Sequence, residues 1–127
     1  MTEKSAYDLR IEVKGDVLWV TATGTRSFQT VLAITQDVFA ACVEKDRKKV
    51  LIDVVALKGH LTTTDAFQVP DAHFPKIRDR SVITQCAIVD LKESKENYRF
   101  FETVAVNRGY KLRIFSDTDE AIAWLEE

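Results

Sequence analysis

The densest collection of chemically capable side chains lies between positions 53 and 65. It comprises Asp53, Lys58 and His60, followed by the run Thr62, Thr63, Thr64 and Asp65. A carboxylate, an ammonium, an imidazole and several hydroxyls so close in sequence could contact a ligand or partner, or accept a phosphoryl group on a threonine. On paper Thr62, His60 and Asp53 even form an acyl-transfer triad. Catalysis is set aside for two reasons: nothing resembles the strained elbow that exposes a nucleophile, and proximity in sequence does not fix triad geometry. No catalytic residue is expected. Two readings of this loop remain side by side, a contact surface for a ligand or partner and a solvated connector with Thr64 capping a helix.

The other reactive side chains narrow the classes of function. The two histidines, His60 and His73, stand in no HxH, HxxxH or Cys-His spacing, so a metal site is not expected. Gly15, Gly24, Gly59 and Gly109 are isolated at the ends of elements, which leaves no phosphate-cradling or dinucleotide-binding loop and no expected cofactor. Cys42 and Cys86 lie in apolar stretches and read as reduced core thiols. Lys45, Arg47, Lys48 and Lys49 form a basic cluster whose plain role is to complement a negative helix terminus. With 18 Lys plus Arg against 20 Asp plus Glu, a formal charge of −2 and a pI near 5.7, a nucleic-acid partner and a polybasic membrane anchor are argued against. The polar start MTEKSAYD has no apolar leader core, and no stretch approaches the roughly 18 apolar residues of a membrane span. A cytoplasmic location and no membrane span are therefore expected.

These residues need elements to position them. Residues 8–14 (DLRIEVK) alternate, residues 17–23 (VLWVTAT) follow after Gly15-Asp16, and together they predict an antiparallel hairpin. From Phe28 to about Asp46 the period becomes helical, with Val31, Ile34, Val38, Ala41 and Cys42 on one face and Ser27 as cap. Residues 49–55 (KVLIDVV), 84–90 (TQCAIVD) and 111–115 (KLRIF) are short apolar runs of the kind that form buried parallel strands. Residues 95–108 carry Tyr98, Phe101, Val104 and Ala105 at helical spacing and stop at Gly109. Ser116 and Asp117 open a closing helix with Ala121, Ile122 and Leu125 inward. Between positions 61 and 80, Phe67, Phe74 and Ile77 suggest a helix, but Pro70 and Pro75 each remove a backbone donor. A break just before Pro70 and a kink at Pro75 are expected there.

At 127 residues the chain is expected to be a single domain spanning 1–127, long enough to bury roughly two thirds of its unfolded surface. The order β-β-α-β-α-β-α-β-α predicts an α/β fold: a mixed, mainly parallel sheet of about five strands with an N-terminal hairpin and flanking helices. Function in such folds sits outside the carboxyl ends of the parallel strands. Aromatics crowd the second half, and Phe100 and Phe101, being adjacent, cannot both face inward from a helix. One of them is a candidate pocket wall or subunit contact, and a homo-oligomer formed through apolar patches is expected.

The order of elements, the strand VLIDVVALKG (residues 50–59), the strand CAIVD (86–90) and the ending RIFSDTDEAIAWL (113–125) resemble the SpoIIAA-like branch of the STAS domains, the anti-sigma-factor antagonists. The resemblance covers residues 8–125. It implies a small cytosolic domain, without metal or redox cofactor, that binds a protein partner or a small ligand. Phosphorylatable members carry an Asp-Ser pair at the start of the helix after the third strand. Counting from Asp53 lands on Thr62, where the pair reads Leu61-Thr62. The acid is missing and threonine stands for serine, so Thr62 is at most a possible phosphosite. The expectation is a non-catalytic regulatory or protein-interaction module working through residues 53–75, with Asp53, Lys58, His60, Thr62 and Thr63 at its contact surface. The alternative is a carrier or sensor of a small apolar or amphipathic ligand, held in a hollow lined by Phe67, Phe74 and Tyr98 beneath a proline-broken helix.

Overall fold

The computed structural model of the chain describes residues 7–59, 83–91, 102–103, 105–107, 109 and 111–127. It opens with a hairpin of β1 (Tyr7–Lys14) and β2 (Val17–Thr25), paired without a bulge from Tyr7 opposite Gly24 to Lys14 opposite Val17. Gly15 has φ +65°, and a glycine with positive φ at the first position of a two-residue loop suits the twist of the flanking strands. Helix α1 (Phe28–Lys45) follows. The Ser27 hydroxyl accepts the Thr30 N–H at 3.1 Å, as its position before the helical period predicts. Its far end closes on Asp46 in the left-handed conformation, φ +55°, rather than on a glycine.

The chain then builds β3 (Lys49–Asp53), β4 (Leu57–Lys58), β5 (Gln85–Val89) and β6 (Leu112–Phe115), and ends in α2 (Thr118–Leu125). Strands run in the spatial order β1-β2-β3-β5-β6; β2-β3, β3-β5 and β5-β6 are parallel, and among the described strands only the hairpin is antiparallel. The architecture is the expected mixed α/β sheet, with six strands in place of about five. The additional one is β4, which pairs in parallel with Gly24 and Thr25 at the far end of β2. Correspondingly β3 ends at Asp53, two residues early, because Asp53 Oδ1 accepts the Val55 N–H at 3.0 Å and turns the chain out of the ladder.

Alternation divides the core into two layers. Leu18, Val20, Ala22 and Val50 face α1, whose Ile34, Val38, Ala41 and Cys42 cover them. Val17, Leu51, Ala87, Val89 and Phe115 face the other way, against Ala121 and Leu125 of α2. Leu18, Val20, Val50 and Leu51 are wholly excluded from solvent, each stabilising the fold by about 1.5–3 kcal/mol relative to exposure. Residues 102–103 and 105–107 are helical, and Ala105 packs with Leu112 and Ile114 on the α1 side. The expected stop holds: Gly109 has φ +90° and its N–H bonds the Val106 carbonyl at 3.0 Å. Cys42 and Cys86 are free thiols within the α1 layer, and burial pushes them up to about 11 and about 12, Cys86 also through its neighbour Cys42. The proline-broken segment 61–80 lies outside the described residues.

Candidate functional site

The carboxyl ends of β2, β3, β5 and β6 gather at one end of the sheet, where the first residues beyond each strand lock together. Arg26, directly after β2, is the central group. Its Nη1 donates to Asp90 Oδ2 at 2.8 Å and its Nη2 to Asp90 Oδ1 at 3.3 Å, so the pair meets fork to fork. Nη2 also reaches the carbonyls of Val54 at 3.0 Å and Leu57 at 2.9 Å, and Nε lies 3.3 Å from the Leu57 carbonyl. Arg26 is 6% exposed and Asp90 1%. A guanidinium this deep needs every partner it has, and no buried side-chain nitrogen or oxygen among the described residues lacks one.

Backbone bonds complete the lock. The Arg26 N–H donates to the Lys58 carbonyl at 2.6 Å, Leu57 N–H to Val54 at 3.0 Å, Val54 N–H to Val89 at 2.9 Å and Asp90 N–H to Phe115 at 2.9 Å. Asp90 Oδ1 also accepts the Leu91 N–H at 2.7 Å, turning the chain as it leaves β5. The turn 54–58 is thereby held from beneath by a single side chain. Its donors are committed to protein acceptors, so Arg26 shapes the surface and does not offer an anion site.

The outer side of this end is different in character. Val55, in the turn after β3, is 39% exposed and Leu91, after β5, is 42% exposed, two of the large apolar side chains left in water among the described residues, and Lys58 of β4 is exposed as well. Gly59 follows with φ +104°, which an L side chain would adopt only with strain. Of the residues expected to form the site, Asp53 is half-buried and acts as a turn former, while Lys58 stands at the rim. His60, Thr62, Thr63, Phe67, Phe74 and Tyr98 lie outside the described residues, and so does the hollow the three aromatics would line. Among the described residues no three His, Cys, Asp or Glu side chains come together as metal ligands, and no helix is long and apolar enough to cross a membrane. Sequence reasoning missed Arg26 and read Asp90 only as a strand's last residue. The available signal was a lone arginine between a β-branched strand and a helix cap, paired with an acid ending an apolar strand.

No family model and no curated protein matches the sequence. Solved structures do match the fold. The chain is similar to an anti-sigma factor antagonist from Mycobacterium paratuberculosis, with a TM-score of 0.61, 15% identity and all of both chains covered. It is also similar to an uncharacterised protein of the DUF3478 family with a SpoIIAA-like fold from Shewanella loihica, with a TM-score of 0.57, 19% identity and 98% of each chain covered. The fold is SpoIIAA-like, as the order of elements and the strand and tail motifs imply.

Proposed function

We propose that the chain is a single SpoIIAA-like domain that works in the cytosol as a non-catalytic regulatory module, binding a protein partner at the carboxyl ends of its parallel strands. The observation that carries this reading is the contrast within that end. A buried, fully partnered arginine fixes the turn 54–58 through its carbonyls, while Val55 and Lys58 of that turn and Leu91 after β5 are exposed. A rigid apolar rim with a cation at its border binds with little ordering cost and suits a protein surface. The fold shared with an anti-sigma factor antagonist supports the same class of activity. Within the module His60, Thr62 and Thr63 extend the contact surface, and Thr62 is its candidate phosphosite.

The test is site-specific photo-crosslinking in the host cell, with the crosslinker placed at Leu91, at Lys58 and, as control, at Val43 on α1, which is 58% exposed. A discrete protein adduct at Leu91 and Lys58, absent at Val43, is expected. Equal labelling at all three positions, or no adduct at any, contradicts the reading. Where an adduct forms, Thr62→Asp and Thr62→Ala should change its yield in opposite directions if Thr62 is a switch, and identical yields remove the switch.

A further inference from the structure

Strand β1 is an edge: β2 occupies one side of it, and no described strand pairs with the other. It is eight residues long, regular and without Pro, Gly or a bulge, so of the devices that blunt an exposed edge it carries charged side chains alone, and those are of both signs. Its parity follows from the hairpin. In a two-residue hairpin the residues flanking the loop, here Lys14 and Val17, form a hydrogen-bonded pair. The alternation then points the N–H and C=O of Asp8, Arg10, Glu12 and Lys14 toward β2, and those of Leu9, Ile11 and Val13 outward.

The side chains alternate as sharply. On the face away from α1 the strand reads Asp8, Arg10, Glu12, Lys14, all exposed. On the α1 face it reads Tyr7, Leu9 and Ile11, half-buried, and then Val13, 41% exposed. We propose that β1 pairs antiparallel with β1 of a second copy of this chain about a two-fold axis through Ile11, joining the two sheets into one.

Charge selects that register. With Ile11 opposite Ile11, Asp8 of one protomer faces Lys14 of the other and Arg10 faces Glu12, so every charged pair is of opposite sign. On the other face Leu9 meets Val13 and Ile11 meets itself, and these are the residues whose backbone groups point outward to bond. Slipping the register by two residues in either direction ruins it. One slip sets Asp8 against Glu12 and Arg10 against Arg10; the other sets Arg10 against Lys14 and Glu12 against Glu12. A slip of one residue opposes apolar to charged positions and meets the wrong backbone parity. A strand that is its own complement is what a two-fold interface demands.

Room exists for the second strand's apolar side chains. A groove of about 410 Å³ runs along the α1 side of β1, lined by Leu9 and Ile11 of the strand and by Ala40 and Ala41 of α1, with Asp37 and Glu44 of the same helix also on its wall. Tyr7 Oη donates to Asp37 Oδ2 across its end at 2.5 Å. The small alanines leave space for Val13 and Ile11 of the partner. This interface lies away from the carboxyl-end rim, so the crosslinking result there and the association state are independent.

The test is sedimentation of the full chain from low micromolar to near-millimolar concentration. A monomer–dimer equilibrium is expected. Arg10→Glu sets the new carboxylate against Glu12 of the partner in two symmetric places and should weaken association at least about tenfold. Combining Arg10→Glu with Glu12→Arg restores opposite charges and should return dimerisation to near the wild-type level. Val13→Pro removes an outward N–H while sparing the ladder to β2, and should give a folded monomer by circular dichroism. A wild-type chain that stays monomeric throughout overturns the proposal. So does a dimer indifferent to Arg10→Glu and Val13→Pro, or a double variant no better than the single one.

Discussion

The two ends of the parallel sheet use charge in opposite ways. At the carboxyl end a guanidinium and a carboxylate are sealed from water, with side chains only 3% and 0% exposed, and the same arginine holds two loop carbonyls. At the amino end the polar groups keep a foot in solvent. Lys49 Nζ donates to the Leu125 carbonyl at 2.6 Å and Gln85 Nε2 to the Trp124 carbonyl at 2.9 Å, satisfying the last turn of α2. Water can stand in for a lysine at a helix terminus but cannot reach Arg26. One end is therefore all-or-none and the other graded, and the rigid end is the one that carries the exposed apolar rim.

The strongest way to break this comparison is to remove one member of the sealed pair. Asp90→Ala or Arg26→Ala leaves an uncompensated buried charge and should cost about 3–5 kcal/mol in urea unfolding. Arg26→Met combined with Asp90→Leu removes both charges and should recover much of that loss, since the two effects are strongly coupled. A single substitution costing less than about 1 kcal/mol would place the pair among surface ion pairs and end the distinction between the two ends.

The amino end should respond more mildly. Lys49→Met keeps the aliphatic stem against the sheet and removes only the donor to Leu125, for an expected loss of about 1 kcal/mol. A loss matching that of Asp90→Ala would show that the terminus of α2 is as tightly sealed as Arg26. The turn after β3 should respond on a similar scale. Asp53→Ala deletes the acceptor for the Val55 N–H and should cost about 0.5–1.5 kcal/mol, whereas Asp53→Asn keeps an oxygen in place and should be nearly neutral.

The residues that were legible in the sequence are those whose neighbours in space are also neighbours in the chain. The Gly15 turn, the Ser27 cap, the Asp117 cap and the Gly109 stop all depend on partners within a few positions, and each stands as the pattern predicts. The central parallel strands were readable because burial on both faces leaves an apolar run, and β1 because one exposed face leaves an alternation. Arg26 was not readable, because its partner Asp90 is 64 positions away and neither residue is unusual alone. Strand β4 escaped for a related reason: its two residues pair alongside the end of β2 where Asp53 turns the chain and Arg26 holds the carbonyls of Val54 and Leu57. The site followed the same rule. Its proposed place at the strands' carboxyl ends follows from topology, but which side chains form its floor depends on long-range pairing.

The smallest effect tests the sheet's edge, where charge is neither sealed nor structural. The Tyr7 phenol is held up at about 12, above its usual 10.0, first by donating a hydrogen bond to Asp37, then by burial, then by the charge of that carboxylate. The folded state thus favours the neutral phenol more than the unfolded chain does. Its contribution is complete below about pH 10 and fades as pH rises through about 12, where both states lose the proton. Tyr7→Phe removes the donor but not the ring. The urea midpoint of wild type should exceed that of Tyr7→Phe at about pH 9, and the gap should narrow as the solution approaches about pH 11. Comparing the two proteins cancels the titration of Tyr98 and Tyr110, which both retain. A gap that widens with pH would mean that the Asp37 carboxylate does not accept from Tyr7 in solution, and the edge would then be looser than either end of the sheet.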